Sequence, residues 1–137
     1  SEIMPRLSRD GKWLAYQSDV SGRAEIYLRP FPGDGPRVQV SDAGGSEPLF
    51  DASGRTLYYR GPSGIVAASL TAGPDVRVSA RRLALAGPSV ADPTHPSYDV
   101  TPDGTQFLIL QPTSGDARGV LVSNWARELR RRLMEAR

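Results

Sequence analysis

The chain has 137 residues, of which 39% are apolar and 23% charged, enough for one folded domain with its own hydrophobic core. It contains no cysteine, which excludes disulfide frameworks, thiolate zinc sites and cysteine nucleophiles, and its net charge is only +2. No run of about 18 consecutive apolar residues occurs, so we expect no membrane span in this segment.

One short sequence pattern occurs three times, each time around a tight turn. The turns contain Asp10-Gly11, Ser53-Gly54 and Asp103-Gly104, and their glycines are separated by 43 and 50 residues. Aspartate or serine followed by glycine supplies residues that hydrogen-bond their own backbone and tolerate a positive φ. Each copy therefore predicts a β-hairpin, with an apolar second strand after the turn.

Further strands are predicted after each hairpin. Third strands are expected at 24–28, 64–70 and 119–123, and fourth strands at 37–40 and 76–83. The last copy instead continues into a segment in which Trp125, Leu129 and Leu133 recur every four residues. This spacing predicts an amphipathic C-terminal helix. Its apolar stripe is expected to dock on the propeller itself, with a partner chain or a membrane as the alternatives.

Four short strands recurring every 40 to 50 residues or so are typical of a propeller blade. We predict an all-β fold, a partial β-propeller of about three four-stranded antiparallel blades with a C-terminal α-helix. Blade one is expected at 3–41, blade two at 47–83, an incomplete blade three at 96–123, and the helix at 124–136. A β-sandwich would explain the number of strands but not the recurrence of one hairpin sequence.

Three blades cannot close into a ring by themselves. Closure removes the exposed edges of the sheets, and propellers reach it with about four to eight blades. We therefore expect either a longer chain or self-association, for example two three-blade chains that form one six-bladed ring.

The motif Pro-x-x-Ser-x-Asp-Gly-x-x-Leu-Ala-Tyr at 5–16, followed by Ala-Glu-Ile-Tyr-Leu at 24–28, resembles the WD-repeat-like blades of TolB-like β-propellers. The likeness covers most of the chain. The middle copy departs from it with Ser53 at the turn, and the third copy has Tyr98 where the family usually has proline. The resemblance implies a module that binds protein partners through its faces and central channel.

The segments 27–33 and 123–125, the latter followed by a basic helix, look like the last blades of propellers that follow bacterial serine/threonine kinase domains. That likeness implies an extracytoplasmic or periplasmic sensor, and the localisation otherwise stays unknown. The chain has no kinase signature of its own, neither a Gly-rich loop nor Asp-Phe-Gly.

Few residues in this sequence suggest catalysis. His95 is the sole histidine, and no Gly-x-Ser-x-Gly motif accompanies it. Asp10 and Asp103 recur before turn glycines, but turn geometry accounts for them, and the middle copy has Ser53 there. We expect no enzyme activity, no catalytic residue, no metal site and no cofactor.

Binding residues are expected in the loops ahead of each first strand, because those loops differ between the copies. Glu47, Asp92 and His95 are the candidates. The aromatic residues of the second strands are expected to pack between blades, and these are Trp13, Tyr16, Tyr58, Tyr59 and Phe107. The arginines within 127–132 are interpreted as a solvated helix face, so no nucleic-acid partner is expected.

Two functional hypotheses follow. The first is a non-catalytic protein-binding or sensory propeller module, with another protein or a second copy as partner. The alternative is an accessory propeller of a bacterial enzyme, a serine/threonine kinase or a propeller-gated peptidase, whose catalytic domain lies elsewhere. A hydrolase that pairs His95 with a nearby serine ranks third.

Overall fold

The computed structural model describes residues 1–71, 73, 75–87, 95–112 and 117–123. Four strands form blade one: β1 Glu2–Leu7, β2 Trp13–Ser18, β3 Glu25–Pro30 and β4 Val38–Gln39. Four more form blade two: β5 Ser46–Phe50, β6 Thr56–Gly61, β7 Gly64–Thr71 and β8 Arg77–Ala86. Blade three contains β9 Tyr98–Val100, β10 Gln106–Pro112 and β11 Ala117–Ser123. The helix predicted at 124–136 lies outside the described residues.

Each blade is an antiparallel meander. The strand orders are β1-β2-β3-β4, β5-β6-β7-β8 and β9-β10-β11, so neighbours in sequence are neighbours in the sheet. This topology is that of propeller blades. It confirms the predicted all-β architecture with antiparallel four-stranded sheets, while the described part of blade three contains three strands.

Two fourth strands differ in length from their predictions. β4 contains only Val38–Gln39, rather than 37–40, although the Val40 amide still donates to the Ile26 carbonyl at 2.7 Å. β8 continues to Ala86, beyond the predicted end at 83, because Ala86 pairs with Gly64 at the start of β7. Strand pairing, rather than local hydrophobicity, sets both ends.

The three hairpin turns share one hydrogen-bond pattern. Their glycines, Gly11, Gly54 and Gly104, all have φ of +70°. In the first turn Ser8 donates its hydroxyl to Asp10 at 2.6 Å. In the second turn the two residue types are exchanged, since Ser53 donates to Asp51 at 2.7 Å. The hydrogen bond between serine and aspartate is therefore kept although the two residues have exchanged positions in the turn. This explains why Ser53 can replace the turn aspartate.

The third turn makes stability depend on pH. Asp103 accepts hydrogen bonds from the Thr101 and Thr105 hydroxyls at 2.6 and 2.7 Å, and these bonds lower the pKa of its carboxyl below 3.8. A lowered folded-state pKa contributes stability that is present above 3.8 and is lost as the pH falls through the folded value.

We expect Asp103→Asn to unfold at a lower urea concentration than the unmodified chain near neutral pH. The difference between the two unfolding midpoints should narrow when the pH is taken well below 3.8, as the native carboxyl takes up a proton. Urea unfolding midpoints at the two pH values test this, with Asp34→Asn at an exposed loop position as the control. A difference in unfolding midpoint that stays constant with pH would show that the charge of Asp103 does not contribute to stability.

Two hydrophobic clusters hold the blades together, one at each junction. The cluster between blades one and two contains Ala15, Ile26, Leu28, Val40, Leu57, Tyr59, Ala68, Leu70 and Val76. The cluster between blades two and three contains Tyr58, Ile65, Ala67, Ala84, Tyr98 and Phe107. Tyr58 and Phe107 meet edge to face at 5.5 Å. Because the blades pack face to face, most of the second-strand aromatics lie in the junctions, as the sequence predicts for Trp13, Tyr58, Tyr59 and Phe107. Tyr16 instead stacks on Tyr27 within blade one and belongs to neither cluster.

A buried carboxylate holds the loop that leads from blade one to blade two. Glu25 on β3 accepts hydrogen bonds from the Gly44 amide, from Arg23 Nε at 2.8 Å and from the Ser41 hydroxyl. Ser41 Oγ in turn accepts from the Ile26 amide at 2.7 Å. These bonds satisfy a charge that would otherwise be costly to bury, and they position the start of β5.

Candidate functional site

The first strands of the three blades present equivalent residues to a common depression. Arg6 on β1, Leu49 on β5 and Asp99 on β9 each lie five residues before the turn glycine of their blade. Together they line a depression of about 450 Å³, and all three also line a neighbouring one of about 290 Å³ toward the turns. In a propeller the blades surround a central channel. We call the surface formed by Arg6, Leu49 and Asp99 the channel-facing surface.

The channel-facing surface carries opposite charges on either side of an apolar centre. Arg6 and Asp99 are exposed, and Leu49 is half-buried. Neither charged side chain forms an ion pair with a residue that the structure describes. Asp99 Oδ1 accepts only the amide of the next residue, Val100, at 2.8 Å. Both charges are therefore available to a ligand.

A buried polar network lies behind this surface and links blades two and three. Glu47 Oε2 accepts from the Ser97 amide at 3.2 Å and pairs with Arg60 Nε at 3.4 Å. The Ser97 hydroxyl donates to the same carboxylate at 2.9 Å and accepts from Arg60 Nη2 at 2.5 Å. Glu47 and Arg60 are each only 4% exposed. The charges are compensated within the network, which burial at this depth requires.

Tyr98 completes the network at its inner end. Its hydroxyl donates to the Glu47 carbonyl at 2.7 Å, and the Arg60 guanidinium lies 5.6 Å from the centre of its ring. Burial, assisted by the Glu47 charge, raises the pKa of the Tyr98 phenol well above its ordinary value. The phenol thus stays protonated, and its proton remains available for this hydrogen bond.

The residues predicted from the sequence as binding candidates do not all share one exposed loop. Glu47 lies at the start of β5, where its carboxylate is occupied by Ser97 and Arg60. His95 is exposed, two residues before Ser97. Asp92 lies outside the described residues. A binding role for these three residues stays a prediction.

Sequence reasoning missed Arg6, Asp99, Arg60 and Ser97. For Ser97 and Asp99, the repeat itself contained a signal. Aligning the copies on their turn glycines places Ser97 in register with Glu47, and Asp99 in register with Arg6. The pairing of Arg60 with Glu47 gives no comparable signal, because no other copy has a cation or a carboxylate at these two positions.

The described part of the chain offers no group of three or more histidine, aspartate and glutamate side chains suited to a metal ion. In the same part, no helix has the length and hydrophobicity needed to cross a membrane.

Comparison with known proteins identifies the fold. No family model matches the sequence, and no curated protein sequence matches it. The crystal structure of TolB from Acinetobacter baumannii is similar, with a TM-score of 0.66 and 20% sequence identity. The match covers 93% of this chain and 31% of the TolB chain, so this chain spans about a third of that protein. The fold is that of a segment of a TolB-like β-propeller, which confirms the fold that the sequence motifs imply.

Proposed function

We propose that this chain is a non-catalytic propeller module that binds a protein partner, in a scaffolding or sensory role, through its channel-facing surface. The observation that carries the proposal is that Arg6, Leu49 and Asp99 occupy the same position on the first strands of three successive blades. This row presents a cation, an apolar group and an anion to one depression.

The size and chemistry of the surface favour a peptide segment as ligand. A depression of about 450 Å³ with an apolar centre and a few polar groups lies within the range of binding pockets. An extended segment could place an acidic side chain against Arg6 and a basic one against Asp99. Ser97, which also lines the depression, donates a hydrogen bond to Glu47 and accepts one from Arg60, which supports a structural rather than a nucleophilic role.

Selection of peptides from a random displayed library, with the purified chain as bait, tests the proposal. We expect selected peptides to carry both an acidic and a basic residue. Their affinity should fall about tenfold or more with Arg6→Glu or with Asp99→Arg, because each change replaces an attraction by a repulsion. Fluorescence anisotropy of one labelled peptide measures the change in Kd.

The matched control is Arg77→Glu, since Arg77 is an exposed arginine on the outer strand β8. It should leave the Kd unchanged. A selection with the chain that carries both Arg6→Glu and Asp99→Arg should return peptides of the opposite charge order. Peptides that bind equally well to all of these variants would show that the channel-facing surface is not the binding site.

A further inference from the structure

A further depression lies between blades one and two, at the end of the sheets that carries the hairpin turns. Because each blade is an antiparallel meander, its first and third connections lie at the same end. Three such connections meet here around a space of about 240 Å³, lined by Lys12 and Trp13 from blade one and by Arg55, Leu70 and Val76 from blade two. We call this space the turn-end pocket. It shares no residue with the channel-facing surface.

A small side chain in blade one leaves this space open. Tyr58 lies four residues after the turn glycine of blade two, and its hydroxyl reaches the next turn, where a Cβ added at Gly104 would lie 2.6 Å from the hydroxyl oxygen. At the same position blade one has Ala15. Its methyl group cannot reach the next turn, and no heavy atom lies within 4 Å of a Cβ added at Gly54. The junction between blades one and two is therefore open where the next junction is filled.

The inner wall of the turn-end pocket is apolar. Leu70 and Val76 belong to the hydrophobic cluster between blades one and two, and the half-buried Trp13 packs against the same cluster. A cavity of about 150 Å³ can hold a benzene molecule. A space of about 240 Å³ thus has room for an aromatic ring with one small substituent, and it is smaller than the usual pockets for larger ligands.

The rim of the turn-end pocket is charged. Lys12 and Arg55 each follow the turn glycine of their blade, where blade three has Thr105. Both are exposed, and neither forms an ion pair with a residue that the structure describes. Asp10 also lines the pocket, and hydrogen bonds from the Ser8 hydroxyl and the Lys12 amide lower the pKa of its carboxyl. Two cations and one anion give the rim a net charge of one positive unit.

We infer that the turn-end pocket binds a small aromatic carboxylate, with its ring against Trp13 and its carboxylate between Lys12 and Arg55. One carboxylate balances the net charge of the rim, and a guanidinium can donate two parallel hydrogen bonds to it. The indole and the aliphatic floor provide the contact for the ring. The inference does not rest on peptide binding, because the two sites have no residue in common.

Titration of the ¹⁵N-labelled 137-residue chain with phenylacetate, followed by NMR, tests the inference. We expect the signals of the Trp13 indole N–H and the Gly54 amide to shift, with a Kd in the millimolar range that suits so small a ligand. Acetate has only the carboxylate and benzyl alcohol only the ring, so each should bind about tenfold more weakly or less. Lys12→Glu and Arg55→Glu should each raise the Kd for phenylacetate about tenfold or more, because an attraction becomes a repulsion.

The matched control is Arg37→Glu, which changes the net charge by the same amount at an exposed position outside the pocket. It should leave the Kd for phenylacetate unchanged, and the dispersion of the amide signals reports whether each variant is folded. Phenylacetate that shifts neither the Trp13 nor the Gly54 signal would overturn the inference. So would acetate that binds as tightly as phenylacetate, or folded Lys12→Glu and Arg55→Glu variants that bind phenylacetate as the unmodified chain does.

Discussion

Replacing Arg60 by methionine is expected to lower the free energy of unfolding by about 3 to 5 kcal/mol, the usual cost of removing one partner from a buried ion pair. Methionine keeps much of the volume but leaves the Glu47 carboxylate buried without its cation. The same change removes the hydrogen bond to Ser97 and the contact with the Tyr98 ring. The junction between blades two and three should therefore loosen first. Urea unfolding followed by tryptophan fluorescence measures the loss.

Two further variants separate charge from packing. Asp42→Asn removes the partner of Arg81 in an exposed pair, and it should cost no more than about 1 kcal/mol. Adding Glu47→Gln to Arg60→Met should recover part of the stability, because no charge is then left unpaired. If Arg60→Met cost as little as Asp42→Asn, the Glu47 carboxylate would have to be hydrated or neutral, and the network would not hold the junction.

The second large effect is expected at Gly64, where β7 begins. A Cβ at this position would lie 2.0 Å from the Leu85 carbonyl oxygen of β8, and the backbone φ of +138° disfavours any side chain. Gly64→Ala must therefore separate the paired ends of β7 and β8. We expect a loss of about 4 kcal/mol or more, at the severe end of single substitutions. Thermal unfolding of the purified variant measures this loss.

Gly54→Ala is the matched control for Gly64→Ala. Gly54 also has a positive φ, +70°, but no heavy atom lies within 4 Å of the added Cβ. Its cost should be about 1 to 2 kcal/mol, the penalty of the left-handed conformation alone. Comparable losses for the two variants would show that backbone conformation, rather than the approach of β8, decides the effect at Gly64.

Much of the fold could be predicted because its signals are local. Asp10-Gly11, Ser53-Gly54 and Asp103-Gly104 each define a turn within a few residues, and the repeat places these turns in one architecture. The ends of β4 and β8 could not be predicted as well. They depend on the partner residues in the neighbouring strand, such as Gly64 for Ala86, and not on local propensity.

The buried network shows where local reasoning ends. Glu47 follows the polar sequence Asp-Ala-Gly-Gly-Ser and was expected in an exposed recognition loop. The structure instead buries its carboxylate, because Arg60 and Ser97 come from positions 13 and 50 residues further along the chain. A charged residue can be buried only where such partners converge, and that convergence depends on how the blades pack.

The sequence by itself determined the hairpins, the blade repeat and the apolar second strands, since turn chemistry and hydrophobic pattern act between neighbours in the chain. Only the tertiary structure decided which equivalent positions face the channel and which face the next blade. Arg6, Leu49 and Asp99 form one surface because stacking sets adjacent first strands side by side. Leu108 and Leu110 are exposed because no described blade covers them.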